Sequence, residues 1–124
     1  MYFTIDIPPR TKKNHNRIVP KKGGGVVVIP SKAYVEYERA AAMYIPHTKP
    51  ISTPVNIKAV FYMETRRRVD LPNLQNALLD TLVKCGLLED DNSKIVASMD
   101  GSCVKYDKYR PRTEVQITEV RGND

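Results

Sequence analysis

Between Val55 and Leu82 the spacing of apolar residues changes from every second position to every third or fourth, and no other feature constrains this chain as strongly. Val55, Ile57, Ala59, Phe61 and Met63 alternate with Asn56, Lys58, Val60, Tyr62 and Glu64, the two-residue period of a strand with one buried face. The strand stops at Thr65-Arg66-Arg67-Arg68. From Leu71 onward Leu74, Leu78 and Leu82 recur at helical spacing, with Ala77 and Leu79 beside them, until Gly86 supplies a left-handed stop. A long strand feeding a long amphipathic helix points to a sheet with helices packed on it.

The flanking segments fit that frame. Met1 to Ile7 is β-favouring and is ended by Pro8-Pro9, since proline cannot donate to a ladder. Arg10 to Lys22 carries Arg10, Lys12, Lys13, Arg17, Lys21 and Lys22 with no acid and no helical period, and reads as a mobile basic loop. Val26 to Ile29 is placed opposite His15 to Val19 in an irregular hairpin turned by Gly23-Gly24-Gly25. Ser31 then caps a first helix in which Tyr34, Tyr37, Ala41, Tyr44 and Ile45 fall on one face. Ile95 to Met99, Val104 to Tyr106 and Thr113 to Val120 are short β-like runs separated by Asp100-Gly101 and Pro111. At 124 residues, without an internal repeat or a linker-like shift, residues 1–124 are read as one domain. The expected class is α+β, a mixed β-sheet with two main helices in the order β-α-β-α-β-β.

Twenty Lys and Arg against fourteen Asp and Glu leave a formal charge of +6, which favours a polyanionic partner such as nucleic acid. No apolar run approaches the roughly 20 residues that span a bilayer, and the N-terminus lacks the pattern of a secretory signal, so the chain is expected to be soluble and cytoplasmic, with no membrane partner. Cys85 and Cys103 are far apart and outside any Cys/His cluster, so they are read as reduced thiols. With only His15 and His47, both read as surface loop residues, a His-based metal triad or a Ser/His/Asp relay has little material.

Charge is distributed unevenly. Bases crowd into 10–22, 66–68 and 105–112, whereas Asp80, Glu89, Asp90, Asp91 and Asp100 lie between 80 and 100. Seven residues apart on a helix, Asn73 and Asp80 share a face away from the leucine stripe, with Asp70 at its entrance. If the chain after Gly86 returns so that a strand at Ile95 lies beside the helix start, Asp90 and Asp91 arrive near the same place. Clustered carboxylates demand a cation, and hard oxygen donors suit Mg²⁺ or Mn²⁺. Beside arginines, such a centre has the parts for phosphodiester hydrolysis. Each residue also has a plainer use. Asp70 can cap the helix by accepting from the Asn73 amide, Asp80 can pair with Lys84 at i+4, Glu89-Asp90-Asp91-Asn92 can be a polar turn, and one of the three arginines must face away from any shared ligand.

The stretch from Arg66 to Val96 resembles the signature of the RusA-like Holliday-junction resolvases. That family reads Asp-x-Asp-Asn, a helix with Lys and Leu-Asp-x-Leu, then an Asp-Asp pair before an aliphatic strand. Asp70, Asn73, Leu79-Asp80-Thr81-Leu82 and Asp90-Asp91 ahead of Ile95 stand at the matching positions, with weaker likeness at Pro9, Lys12-Lys13-Asn14 and Pro30-Ser31. The resemblance implies a Mg²⁺-dependent endodeoxyribonuclease (Mn²⁺ can substitute) of phage or bacterial type. It would act as a homodimer on four-way or branched DNA in recombination and repair, giving paired symmetric nicks. It implies catalytic roles for Asp70, Asp91, Asp80 and Asp90, metal ligation by Asp70, Asp91 and Asp90, and DNA contacts from Lys12, Lys13, Arg17, Arg66, Arg67 and Arg68, with Asn73 beside the site. Two positions depart from the pattern: Pro72 replaces the second acid and Asn76 the helical Lys. Asp80, Asp90 or Asp100 could replace the acid, and Lys94 or an arginine of 66–68 the base. The rival reading is a non-catalytic binder of branched nucleic acid with a degenerate metal site.

Overall fold

Strand and helix form where the two periods predict them. The computed structural model describes residues 1–12, 17–29 and 31–121. Its elements run β1 (Tyr2–Ile5), β2 (Arg17–Pro20), β3 (Val26–Ile29), α1 (Lys32–Ala41), β4 (Val55–Met63), α2 (Leu71–Lys84), β5 (Val96–Ser98), β6 (Cys103–Tyr106) and β7 (Arg112–Glu119). This is the expected mixed α+β class, and the expected hairpin and all three C-terminal β-like runs form strands, which makes the element order fuller than β-α-β-α-β-β. Lys13, Asn14, His15 and Pro30 lie outside the described residues.

Nine-residue β4 is the axis of the main sheet. It pairs antiparallel with β7, which pairs antiparallel with β1, while β5 and β6 both run parallel to β4 on its other side. β1, β4 and β6 therefore point the same way and end at one edge, while β5, with the same direction, ends beside Asn56 near the start of β4. The hairpin β2–β3 is separate, with Arg17 opposite Ile29. Inward residues of the sheet, Phe3, Ile5, Ile57, Ala59, Phe61, Val115 and Ile117, pack against Tyr34, Tyr37 and Ala41 of α1 and Leu74, Ala77, Leu78 and Leu82 of α2. At roughly 1.5–3 kcal/mol for each fully buried large apolar side chain, this contact dominates the fold.

The first helix is shorter than its sequence pattern. Ser31 caps it, its hydroxyl accepting from the Tyr34 N–H at 3.1 Å, but the chain turns after Ala41 and Met43 is 86% exposed. The amides of Met43 and Tyr44 donate to the carbonyls of Ala40 and Ala41, a tightening that ends the helix ahead of Pro46, and Ile45 still reaches the core.

The crossover β4–α2–β5 fixes where the acidic segment lies. Because β5 is parallel to β4, its beginning sits at the beginning of β4: the Val55 N–H donates to Ile95 O at 2.8 Å, and that of Ile51 to Leu87 O at 2.9 Å. α2 starts beyond the other end of β4 and returns along 14 residues, about 21 Å. The expected return of Ile95 to the helix start does not occur. A parallel crossover carries the chain back along the full strand before the next strand can begin.

Candidate functional site

At the edge where β1 and β4 both end, three segments meet. Pro9, Arg10 and Thr11 follow β1, Glu64, Thr65, Arg67, Arg68 and Val69 follow β4, and Ser31, Ala33 and Tyr34 open α1. Together they line a cleft of about 710 Å³. The carboxyl ends of parallel strands are where sheets of this kind leave a crevice for ligands. Arg67 and Arg68 line the cleft and are exposed, and Arg10 donates to Glu64 Oε1 at 3.0 Å across it. Arg66 turns to the other side, its guanidinium 4.1 Å from the centre of the Tyr106 ring, as alternation along an extended segment requires.

Asp70 stands between cleft-lining Val69 and Leu74, at the N-cap of α2 with extended backbone, and its side chain makes no capping hydrogen bond. Its backbone carbonyl accepts the first helical bonds, from the amides of Asn73 (3.1 Å) and Leu74 (3.2 Å). The Asn73 side-chain amide donates to Asp70 Oδ2 at 3.3 Å, so an exposed carboxylate is held by its neighbour and left open to a ligand. The capping bond from the Asn73 amide, weighed above, is not formed.

Asp80 is half-buried one turn from the C-terminal end of α2 and pairs with Lys12, which sits 5.8 Å over the Tyr34 ring. Lys84, the expected i+4 partner of Asp80, reaches Glu38 of α1 instead, at 2.9 Å. Tyr34 sits between these pairs; its hydroxyl donates to Ala77 O at 3.0 Å, and burial raises its pKa to about 12. The helix face carrying Asn73 and Asp80 is thus covered in part by α1 and by the first basic segment. Asp80 is spent as an anchor for Lys12.

Asp90 and Asp91 are exposed in the segment between α2 and β5, at the beginning of β4. Asp90 accepts the amide of Asp91 at 2.7 Å and the Asn92 side chain at 3.0 Å, and these bonds hold its carboxyl below the usual range. Here the polar-turn reading describes the local structure. Asp100 lies in the β5–β6 turn, its amide donating to Asn56 Oδ1 at 2.8 Å, also at that end. Among the described residues no three His, Cys, Asp or Glu side chains come together as a group able to hold a metal ion. The expected convergence of Asp70 with Asp90 and Asp91 within one chain is not found, because the length of α2 lies between them.

Of the expected DNA contacts, Arg67 and Arg68 share the cleft and Lys12 is its neighbour, while Arg66 lies on an adjoining groove. Arg17 opens β2, and Lys13 is outside the described residues. Sequence reasoning passed over Arg10 in the cleft and Tyr106 in the groove beside it. Arg10 had a signal, as the first base after the prolines that end β1. So did Tyr106, in the alternation Lys105-Tyr106-Asp107-Lys108-Tyr109-Arg110.

Among the described residues no helix is long and apolar enough to cross a membrane. Three relatives, each named crossover junction endodeoxyribonuclease RusA, come from Escherichia coli strain K12, Shigella sonnei strain Ss046 and Enterobacteria phage 82. Each is 39% identical over 75 residues, 60% of this chain and 58% of the relative. The match thus spans little more than half the length of these relatives. The family model described as endodeoxyribonuclease RusA runs further, from residue 6, where β1 has ended at the cleft, to residue 118 in β7, and so takes in both helices and all segments that build the edge. The chain belongs to the endodeoxyribonuclease RusA family.

Proposed function

We propose that this chain is a structure-selective endodeoxyribonuclease that resolves four-way DNA junctions by paired symmetric nicks, with Mg²⁺ as cofactor (Mn²⁺ can substitute) and a homodimer as the working unit. The supporting observation is the arginine-lined edge cleft with the uncapped carboxylate of Asp70 beside it, in a chain of this family. Asp70, Asp90 and Asp91 are exposed hard oxygen donors, the kind Mg²⁺ takes. One chain does not bring them together, so in this proposal the centre forms between copies: Asp70 of one protomer with Asp90 and Asp91 of the partner subunit. A two-fold pair then holds two equivalent centres, as symmetric nicking needs. Bound there, the ion would polarise the scissile phosphate and lower the pKa of its water. Arg67 and Arg68 hold the backbone, with Lys12, Lys13, Arg17 and Arg66 extending the contact, which gives affinity with little sequence readout. Asn73 fixes the direction of the Asp70 carboxylate.

Asp70→Asn and Asp91→Asn should each abolish nicking of a synthetic four-way junction and retain the gel shift, since removing a negative charge does not weaken a basic surface for phosphate. Mixing the two variants separates shared from unshared centres. A mixed dimer of shared centres has one site with both carboxylates intact and recovers about a quarter of wild-type nicking, half the dimers having one site each; unshared centres recover none. A shift with no Mg²⁺-dependent nicks by the wild-type protein would select the non-catalytic binder, which the separation of acids within one chain favours.

A further inference from the structure

The edge cleft has a neighbour. A groove of about 290 Å³ lies where β4 ends beside β6, with Met63 and Val104 as its apolar floor and Arg66, Lys105 and Tyr106 around it. Met63, Thr65 and Arg67 line both this groove and the cleft, so the two are continuous. Among the described residues β6 pairs with β4 alone, and Val104 and Tyr106 are each 38% exposed. A large aromatic and a β-branched side chain are left open on an otherwise strongly charged edge. Three residues on, Tyr109 is 92% exposed on a turn held by Asp107, which accepts the amides of Tyr109 and Arg110 at 3.1 Å.

We propose that this groove is a second nucleic-acid site, which takes one unpaired base of the DNA whose backbone lies in the cleft. Bases that have left a helix are held by stacking on aromatic rings and on arginine guanidinium planes, and the groove presents both at once, the Arg66 guanidinium standing 4.1 Å over the centre of the Tyr106 ring. The floor of Met63 and Val104 suits the uncharged base, and Lys105 and Arg67 at the rim suit its phosphates. Together these features fit a nucleotide better than an apolar peptide, which would leave three cations desolvated. The proposal rests on the DNA-binding part of the reading above and is independent of catalysis. It adds what the cleft alone does not supply, a preference for DNA with a base out of the stack.

The test uses full-length protein without divalent metal and two 20-base-pair duplexes, one fully paired and one with a single bulged 2-aminopurine. The wild-type protein should bind the bulged duplex about tenfold more tightly, with a change in 2-aminopurine fluorescence as the base stacks. Tyr106→Leu, which keeps an apolar side chain at the strand edge, should remove most of that preference and the fluorescence change while binding the paired duplex as before; Tyr106→Phe should keep both. Equal affinity of the wild-type protein for the two duplexes, or a preference that survives Tyr106→Leu, overturns the proposal. Failure to nick a junction in Mg²⁺ with the bulge preference intact would instead count against the nuclease reading alone.

Discussion

Asp107 shows how a surface carboxylate on this edge is committed. It accepts the amides of Arg110 and Tyr109 and the guanidinium of Arg112, whose Nη1 lies 2.9 Å from Oδ2. The backbone bond from Arg110 first, and then Arg112, hold its carboxyl below the ordinary value of 3.8. A carboxyl whose folded pKa is depressed adds stability above its unfolded pKa and loses it as pH falls through the folded value. Asp107→Asn should therefore lower the urea midpoint at pH 7, and the gap to wild type should close below about pH 4. A gap constant from pH 7 to pH 3 would show that the bonds do not depend on the charge. Asp70 is the contrast, since among the described residues its carboxylate has the Asn73 side-chain amide alone to hold it and keeps the capacity to bind something else. The Lys12–Asp80 pair lies between these extremes. Both side chains are about a third exposed, so a double-mutant cycle should give a coupling of no more than about 1 kcal/mol in stability. Its larger effect should be on DNA affinity, because it anchors the basic segment that follows β1.

The elements divide into those that local pattern specifies and those that depend on how the sheet is assembled. The extent and main buried face of β4 were legible from nine alternating positions, although Val60 of the other face is buried too and Met63 only half so, and α2 was legible from the Leu74, Leu78 and Leu82 stripe to the stop at Gly86, whose φ is +81°. α1 was half legible. Its apolar spacing continues to Ile45, but nothing local says that Ile45 reaches the core from a turn rather than a helix. The location of Asp90 and Asp91 was misjudged for a topological reason. A strand, a helix and another strand imply a parallel crossover. That rule alone would have put them at the far end of α2 from Asp70. Packing of α1 on α2 depends on Tyr34, whose hydroxyl donates to Ala77 O and lies 3.4 Å from Thr81 Oγ1. Tyr34→Phe should cost about 1 kcal/mol of unfolding free energy. Leu78→Ala, in the apolar contact itself, should cost about 2–5 kcal/mol. Chemical denaturation of both checks whether the hydroxyl or the leucine stripe carries the interface.

On the scale of the molecule, charge and topology act together. The formal charge of +6 would be a weak field if spread evenly, but β1, β4 and β6 end side by side and deliver Arg10, Lys12, Arg66, Arg67, Arg68, Lys105 and Lys108 to one edge. Some of that charge is neutralised locally, Arg10 by Glu64 and Lys12 by Asp80, and those groups have to exchange a carboxylate for a phosphate to contribute. Arg67 and Arg68 line the cleft and form no ion pair among the described residues, so they should carry the salt dependence of DNA binding. Each phosphate contact released contributes about 0.9 to the slope of log K against log salt on duplex DNA. Replacing Arg67 and Arg68 together with Ala should lower that slope by roughly 1.8, for any sequence tested. Replacing Arg10 should change it less, because its charge is already balanced in the free protein. If the Arg10 variant loses as much slope as the double variant, the Arg10–Glu64 pair opens on binding, and the cleft takes DNA by exchanging its internal ion pair for phosphate.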